Sequence, residues 1–297
     1  MAGKVLVTGG EGFIGSHVVD LLVESGREVR VIDSLHPAAH TRRPSYLNPG
    51  AEYVTGDVKD EGDLRAVIEE VDAVCHQAAM VGLGKDFGDA GDYVADNCLG
   101  TARLLAGLSR VGFEGPLVLA SSMVVYGEGG YSCARHGQVR PQARRREDLE
   151  AGRFEPRCPD CGERLSPHAV SETAEADPRS VYASTKLHQE HLCGLFAREN
   201  ERVRYTALRY HNVYGPRMPK DTPYAGVASI FRSSLEAGRA PSVFEDGRQI
   251  RDFVHVHDIA RANLSALEAD PGQAGAYNVA SGRPRPLIDM ARLLAEA

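Results

Sequence analysis

The 297-residue chain contains no apolar run near the roughly 18 residues that a membrane-spanning helix needs, and its N-terminus has no charged-then-apolar leader. It also has no internal repeats, no low-complexity tracts and no excess of basic residues, since its formal net charge is −7. An acidic chain has no global basic field to attract nucleic acid. We therefore expect a cytoplasmic protein with no membrane partner and no nucleic-acid partner.

The amino-acid composition is ordinary, with 42% hydrophobic and 25% charged residues. This composition is typical of a globular protein, and the length suits one large or two small domains. The six cysteines are not expected to form a disulfide framework, because the cytoplasm keeps thiols reduced.

Near the N-terminus, an apolar run at 5–7 enters a glycine-rich turn, and an amphipathic segment at 13–25 predicts a helix after it. In such a strand–turn–helix unit, Gly9 permits the tight turn and Gly12 lets the backbone approach a pyrophosphate. Gly15 lets helix and strand pack closely, which leaves N–H groups at the helix start facing the anion. The pattern indicates a dinucleotide site, the alternative being an ordinary βαβ unit with no ligand.

A second β-like run, 28–32, ends at Asp33, which lies 18 positions after Gly15. A carboxylate near this position binds the adenosine ribose, so Asp33 favours NAD over NADP. Asp57 follows a short strand candidate and is suited to the adenine amino group. An aspartate that caps the helix beginning near Asp60 is the alternative.

Strand candidates then alternate with helix candidates along the chain, with strands at 73–76, 117–120 and 205–210 and helices at 93–111 and 182–198. This alternation predicts an α/β fold with a doubly wound parallel (Rossmann) sheet.

Two portions are expected in the chain. Residues 1–210 form an NAD-binding Rossmann domain, and 211–297 form a smaller, mainly substrate-binding portion with helices near 222–237 and 258–268. The chain stops inside a helical run, so a complete and a C-terminally shortened substrate-binding portion are the two alternatives.

Tyr182 and Lys186 are four positions apart, so in a helix both side chains project from one face. A nearby ammonium lowers the pKa of a phenol, which would make Tyr182 a usable general base. Ser122, at the end of a strand beside the cofactor, is suited to hold a sugar oxygen. The alternative for the Tyr–Lys pair is an ordinary solvated helix face.

Five motifs in chain order resemble the extended short-chain dehydrogenase/reductase family, whose sugar-nucleotide epimerases and dehydratases are the most similar group. They are Thr-Gly-Gly-x-Gly-Phe-Ile-Gly at 8–15, Ser-Met-Val-Val-Tyr-Gly at 122–127, Tyr-x-x-x-Lys at 182–186, Arg-Tyr-His-Asn-Val-Tyr-Gly-Pro-Arg at 209–217 and Arg-Asp-Phe-Val-His-Val at 251–256.

The resemblance implies a catalytic triad of Ser122, Tyr182 and Lys186, and a homodimer formed through helices 93–111 and 182–198. The residues that it assigns to NAD are Gly9, Gly12, Phe13, Ile14, Gly15, Asp33, Asp57, Val58, Ala78, Asn97, Tyr182 and Lys186. Those that it assigns to a nucleotide-diphosphate sugar substrate are Ser122, Asn212, Arg217 and Arg251. An arginine suits a diphosphate, although a structural ion pair of Arg251 with Asp252 or Asp258 is the alternative.

The reaction is predicted from two residues after Ser122. Dehydratases of this family carry Asp-Glu there and related decarboxylases carry a glutamate, whereas this chain has Met123 and Val124. Neither side chain transfers a proton, which favours a 4-epimerase working through a transient 4-keto intermediate. Similarity to bacterial enzymes of this type suggests interconversion of dTDP-L-rhamnose and dTDP-6-deoxy-L-talose. The alternatives are a 4,6-dehydratase, another sugar-nucleotide oxidoreductase and a non-catalytic NAD-binding regulatory protein.

Sixty positions separate Ser122 from Tyr182, more than twice what the resembling enzymes need. An insertion, 129–172, is therefore expected within the Rossmann domain. Its region 140–157 is highly charged and poor in apolar residues, so it needs support other than hydrophobic burial.

Within this insertion a C-x-x-H pair, Cys133 and His136, precedes a C-x-x-C pair, Cys158 and Cys161, with 21 residues between the pairs. Three sulfurs and one nitrogen at such spacing suit a structural, tetrahedral zinc ion. The alternatives are His168 in place of His136 and a surface loop with incidental thiols.

Overall fold

The computed structural model describes residues 3–37, 39–40, 42–82, 86–219, 226–270 and 273–296. Its central element is a seven-stranded parallel sheet. The strands are β1 (Lys4–Thr8), β2 (Glu28–Asp33), β3 (Glu52–Thr55), β4 (Ala73–His76), β5 (Pro116–Ser122), β9 (Arg204–Tyr210) and β13 (Gly275–Val279), in the spatial order β13-β9-β5-β4-β1-β2-β3. The prediction of a parallel Rossmann sheet is confirmed.

Helices cover both faces of this sheet. They are α1 (Phe13–Glu24), α2 (Glu61–Ile68), α3 (Ala90–Tyr93), α4 (Gly100–Arg110), α6 (Val181–Glu199) and α8 (Val256–Glu268). One apolar core joins α1 and α8 to the sheet, and another joins α2, α4 and α6 to its other face. The middle strands β1, β4 and β5 are buried on both faces, which explains their continuous apolar sequences.

The strand order reverses between β1 and β4, which are neighbours in space but distant in sequence. In open parallel sheets, ligands bind beyond the carboxyl ends of the strands at this switch point. The fold therefore places the glycine turn after β1 and the residues after β4 at one ligand-binding edge.

The segment predicted as the helix 93–111 is less regular than expected. A π-helical stretch, Val94–Leu99, lies between α3 and α4. A π-helix shifts the side chains that follow it relative to an α-helix, and such stretches are frequent at functional sites. Asn97 lies within this stretch.

Residues beyond 210 contribute to both portions of the protein. Helix α8 and strand β13 belong to the Rossmann sheet and its core. The remainder comprises β10 (Asn212–Tyr214) paired with β12 (Phe253–His255), β11 (Ile250–Arg251) paired with β14 (Arg285–Pro286), α7 (Val227–Glu236) and α9 (Leu287–Glu296). These helices enclose a separate small core. The predicted start of the helix at 222–237 lies outside the described residues.

The insertion forms a unit of its own. Strands β6 (Gly130–Cys133), β7 (Gly137–Val139) and β8 (Ser166–His168) make an antiparallel sheet in the order β7-β6-β8, and α5 (Arg146–Glu150) follows β7. Its only apolar cluster among the described residues centres on Cys133, Cys158 and Leu165. No helix in the described ranges combines the length and apolar character needed to cross a bilayer.

Candidate active site

The glycine turn between β1 and α1 is packed too closely for side chains. A Cβ on Gly15 would lie 2.1 Å from the Gly9 carbonyl oxygen, and one on Gly9 would lie 2.7 Å from the Ala78 nitrogen. Gly9 also has φ of +69°, a left-handed conformation that favours glycine. Helix α1 begins at Phe13, and its N-cap residue Gly12 provides no side-chain cap, so its first N–H groups are available to an anion.

The Asp33 carboxylate is fixed beside this turn. It accepts hydrogen bonds from the Glu11 N–H at 3.0 Å and the Leu35 N–H at 2.9 Å. Glu11 itself is fully buried, and its carboxylate pairs with Arg43 at 3.1 Å. The sequence motifs do not predict the Glu11–Arg43 pair, because the two residues meet only in the folded chain.

The region after β3 tests the alternative role that the sequence left open for Asp57, that of a helix cap. Asp60 caps α2, since its carboxylate accepts the N–H groups of Gly62 and Asp63 at 2.7 and 3.0 Å. Asp57 instead accepts the Lys59 N–H at 2.8 Å. The cap is therefore Asp60, and the role of Asp57 at the cofactor stays a prediction. The Val58 side chain is buried in the core between α2 and α4.

Asn97 connects the loop after β4 to the helix that carries Tyr182. Its amide oxygen accepts the Met80 N–H at 2.7 Å, and its amide nitrogen donates to the Met80 carbonyl at 3.0 Å and the Thr185 hydroxyl at 2.9 Å. The Asn97 side chain, which makes all three hydrogen bonds, is fully buried. Asn97 thus fixes the spacing between the predicted cofactor loop, which includes Ala78, and helix α6.

A buried chain of hydrogen-bonded side chains also connects Asn97 with the loop after β4. The Thr101 hydroxyl donates to the Asn97 carbonyl at 2.6 Å, so it accepts from the His76 Nε2–H at 2.9 Å. The other ring nitrogen, Nδ1, then accepts from the Thr8 hydroxyl at 2.7 Å. Thr8 in turn accepts the Ala78 N–H at 3.1 Å. His76 is neutral here, because burial, helped by the charge of Lys186, lowers its pKa to about 3.

This shift predicts a pH dependence of stability. Below pH 6.5 the unfolded chain protonates His76, whereas the folded chain resists protonation down to about pH 3. Stability therefore falls as pH falls, and the His76 contribution to that loss between pH 7 and 5 is about 2 kcal/mol. Urea unfolding should show a smaller loss in His76→Gln than in wild type, with exposed His188→Gln as the control. Equal losses in His76→Gln and wild type would contradict the assignment.

The three predicted catalytic residues meet at the carboxyl end of β5. Ser122, the last residue of β5, hydrogen-bonds to Tyr182, and Lys186 donates to the Ala120 carbonyl at 2.9 Å. Ser122 is 8% and Lys186 is 3% exposed. The interpretation of the Tyr–Lys pair as a solvated helix face is wrong, since Lys186 points into the protein.

The expected electrostatic effect on Tyr182 has the opposite sign in the structure. Burial raises the pKa of Tyr182 to about 12, and the Ser122 hydrogen bond only partly opposes this. Burial also lowers the pKa of Lys186 to about 7. The prediction of a lowered tyrosine pKa is therefore wrong, because desolvation of the phenolate is the largest effect on Tyr182.

Two of the predicted substrate residues are next to each other near Ser122. The Asn212 backbone and side-chain amides both donate to the Asp252 carbonyl, at 3.0 and 3.1 Å, and Arg251 directly precedes that carbonyl. Arg251 is exposed and forms no ion pair with any described residue. Asp252 accepts from Ser281 instead, and Asp258 pairs with Arg261. The alternative of a structural ion pair for Arg251 is therefore wrong.

Arg217 is placed differently. Its guanidinium pairs with Asp20 of α1 at 2.7 Å and stacks on Tyr46 at 4.7 Å from the ring centroid. These partners hold it beside the middle of α1, so its assignment to the substrate depends on the motif alone and stays a prediction.

The Cys/His residues of the insertion form one cluster. The ligand atoms of Cys133, His136, Cys158 and Cys161 all lie within 4.8 Å of one another. The Cys133 and Cys161 sulfurs are 3.6 Å apart, and the His136 Nδ1 is 3.3 Å from the Cys158 sulfur. Ligands of tetrahedral zinc with Zn–S bonds of about 2.3 Å are separated by roughly 3.5 to 3.8 Å. All four residues are thus suited to one metal ion, and His168 lies outside the cluster, bonded to the Ala169 carbonyl.

A doubly wound parallel sheet whose carboxyl edge carries a glycine turn, a ribose-type carboxylate and a Ser–Tyr–Lys set defines a nicotinamide-dinucleotide enzyme. Comparison with known proteins narrows this class. A model of the NAD dependent epimerase/dehydratase family matches residues 5–280. The dTDP-L-rhamnose 4-epimerase of Burkholderia thailandensis is 34% identical over 98% of this chain and 80% of its own length.

Two solved structures are similar over nearly the whole chain. UDP-N-acetylglucosamine 4-epimerase from Methanobrevibacter ruminantium, in complex with UDP-N-acetylmuramic acid, has a TM-score of 0.78 and 28% identity, over 99% of this chain and 82% of that one. The UDP-glucose 4-epimerase of Thermus thermophilus, in complex with NAD, has a TM-score of 0.75 and 28% identity over the same shares. The chain belongs to the NAD-dependent epimerase/dehydratase family, as an enzyme of its sugar-nucleotide epimerase group.

Proposed function

We propose that this protein interconverts the C4 epimers of a nucleotide-diphosphate sugar, with dTDP-L-rhamnose and dTDP-6-deoxy-L-talose as the pair. The observation that carries the proposal is the meeting of Ser122, Tyr182 and Lys186 at one buried strand end with no second proton-transfer group after Ser122. The similarity to the Burkholderia thailandensis enzyme supports the choice of sugar.

In this proposal Tyr182 takes the proton of the sugar C4 hydroxyl and later returns it. Bound NAD would supply the hydride acceptor and donor that oxidation and reduction at the sugar C4 require. Ser122 holds the C4 oxygen through its hydroxyl, which already hydrogen-bonds to Tyr182. Lys186, one helical turn from Tyr182, stabilises the ionised phenol when its ammonium is protonated.

The residues that would hold NAD lie at the glycine edge, which comprises the turn 9–15, Asp33 and Ala78. The uncapped start of α1 suits the pyrophosphate, and the fixed Asp33 carboxylate suits a ribose hydroxyl. The close packing of Gly9 against Ala78 leaves only backbone at the point of approach. Asn212 and Arg251, which has no ion-pair partner in the described part of the chain, would bind the substrate diphosphate, where a guanidinium forms charge-assisted hydrogen bonds.

Elimination of water is disfavoured by the same geometry. Met123 and Val124 begin a short 3-10 turn, and the Met123 sulfur lies 3.9 Å from the Asn212 amide nitrogen. A dehydratase needs an acid and a base next to the sugar, and these two positions supply neither.

NMR of the enzyme with NAD and dTDP-L-rhamnose in D₂O tests this function, with UDP-glucose as a comparison substrate. We expect the C4 epimer to form without deuterium at C4, because the hydride returns directly. Absence of any epimer for a panel of nucleotide sugars would favour a non-catalytic NAD-binding protein. Deuterium at C3 or C5 would favour an elimination pathway.

We also propose that zinc occupies the Cys133, His136, Cys158 and Cys161 cluster, in a purely structural role. Four protein ligands complete a tetrahedral site and leave no position for substrate. The insertion has only a small apolar cluster around these residues, so metal binding would supply much of its folding free energy. We place the enzyme in the cytoplasm, where thiol ligands stay reduced.

A homodimer is the proposed assembly. Val94, Leu99 and Leu195 are 51%, 43% and 53% exposed on the two neighbouring helical segments expected to form the interface. Burying such side chains against a second copy removes apolar surface from water.

Light scattering after gel filtration should give a dimer for wild type and a monomer for Leu195→Glu. The control is Leu293→Glu on α9, where the leucine is 49% exposed; a wild-type monomer, or a dimer in Leu195→Glu, would contradict the interface.

A further inference from the structure

The insertion contacts the substrate-binding portion through one ion pair between residues 101 positions apart. The Arg144 Nη1 lies 2.7 Å and 2.9 Å from the two carboxylate oxygens of Glu245. The two side chains are 31% and 18% exposed. Because the Glu245 carboxylate is largely shielded from solvent, water and salt screen this contact less than they screen an ordinary surface pair.

A second set of bonds attaches the far end of the insertion to the central sheet. The Asn278 side chain donates to the Val170 carbonyl at 2.9 Å, and its backbone N–H donates to the Glu172 carboxylate at 3.0 Å. Arg209, held by the buried carboxylate of Glu190, donates to the Glu172 carbonyl at 3.1 Å. The insertion is therefore anchored to the Rossmann sheet, and Arg144 reaches from this anchored unit to Glu245.

Glu245 belongs to the segment 244–251, which ends at the proposed diphosphate ligand Arg251. Glu245 has φ of +56°, an uncommon conformation for a residue with a side chain that surrounding contacts must maintain. Its carboxylate also accepts a hydrogen bond from Gln249. The segment continues directly through Arg251 to Asp252, whose carbonyl accepts both Asn212 amide groups.

We propose that Arg144 is a positioning residue for substrate binding, which holds the segment 244–251 through Glu245 so that Arg251 and Asn212 are set for the diphosphate. This inference rests on the proposed nucleotide-sugar function. It assigns to the insertion a role in the affinity for the nucleotide-diphosphate group, separate from NAD binding, which takes place at the glycine edge.

Calorimetric titration of the NAD-loaded enzyme with dTDP tests the proposal. We expect Arg144→Gln to weaken dTDP binding by about fivefold to tenfold and to leave NAD binding unchanged. Arg144→Lys should lie between Arg144→Gln and wild type, because lysine keeps the positive charge but not the length and shape of the arginine side chain. The matched control is Arg146→Gln, two residues away, whose partner Glu150 lies within α5.

Two further measurements separate positioning from general destabilisation. The double variant Arg144→Glu with Glu245→Arg restores the pair with reversed charges and should recover most of the dTDP affinity. Amide hydrogen exchange of 244–251 should increase in Arg144→Gln and not in Arg146→Gln. If wild type binds dTDP while Arg144→Gln binds it equally well, the positioning role is overturned and the proposed function stands. If wild type binds neither dTDP nor UDP, both are overturned.

Discussion

Replacing Tyr182 with phenylalanine is expected to lower the rate of C4 epimerisation by about 10³-fold, which corresponds to roughly 4 kcal/mol of transition-state stabilisation. The variant lacks the only described group that is hydrogen-bonded to Ser122 and able to take the C4 hydroxyl proton. The shape of the buried site changes by one oxygen atom, so NAD binding should be retained. Conversion measured by NMR, with NAD content measured on the same sample, separates the two effects.

Tyr277→Phe is the matched control for this substitution. Its hydroxyl donates to the Gln273 carbonyl at 2.8 Å on an exposed part of β13, away from the site. We expect near wild-type epimerisation from this variant. A Tyr182→Phe enzyme within tenfold of wild type would remove Tyr182 from the role of base.

Replacing Cys158 with serine is expected to release the metal from the insertion, with zinc content falling from about one ion per chain to less than a tenth. Cys158 is buried at the centre of the small insertion core, and its sulfur is 3.3 Å from the His136 ring nitrogen. Without the metal the insertion retains little apolar burial, so region 140–157 should become sensitive to limited proteolysis. Elemental analysis and a proteolysis time course measure these two effects.

The matched control here is Cys98→Ser. Cys98 is half-buried in the π-helical stretch and lies outside the metal cluster. We expect this variant to keep its zinc and its protease resistance. The zinc proposal would be wrong if carefully purified wild type held no metal, or if Cys158→Ser kept both metal and resistance.

The sequence predicted the fold because the relevant signals are local. The apolar run at 5–7, the glycine turn and Asp33 lie within one βαβ unit, and their spacing follows from the geometry of strand, turn and helix. The strands at 73–76 and 205–210 could also be predicted, since strands buried on both faces are continuous apolar runs. The π-helical stretch around Asn97 was not predicted, and the partners of Asn97, Met80 and Thr185, meet it only in the folded chain.

In the insertion, the sequence predicted the candidate metal ligands but did not decide between the two histidines. The C-x-x-H and C-x-x-C spacings identified the four candidate ligands and left His168 as an alternative. The choice of His136 required the folded sheet, which turns His168 toward the Ala169 carbonyl. Spacing limits which residues can meet, and the tertiary arrangement decides which ones do.

By itself, the sequence determined the parallel Rossmann sheet and the meeting of Ser122, Tyr182 and Lys186, and the cofactor residues that it names stay predictions. Only the tertiary structure decided the sign of the Tyr182 pKa shift, the neutral state of His76 and the contact of Arg144 with Glu245. The physical reason is that burial and long-range pairing are properties of the packed chain. A lysine four residues from a tyrosine predicts a charge effect, whereas the size of the opposing desolvation depends on everything that surrounds the pair.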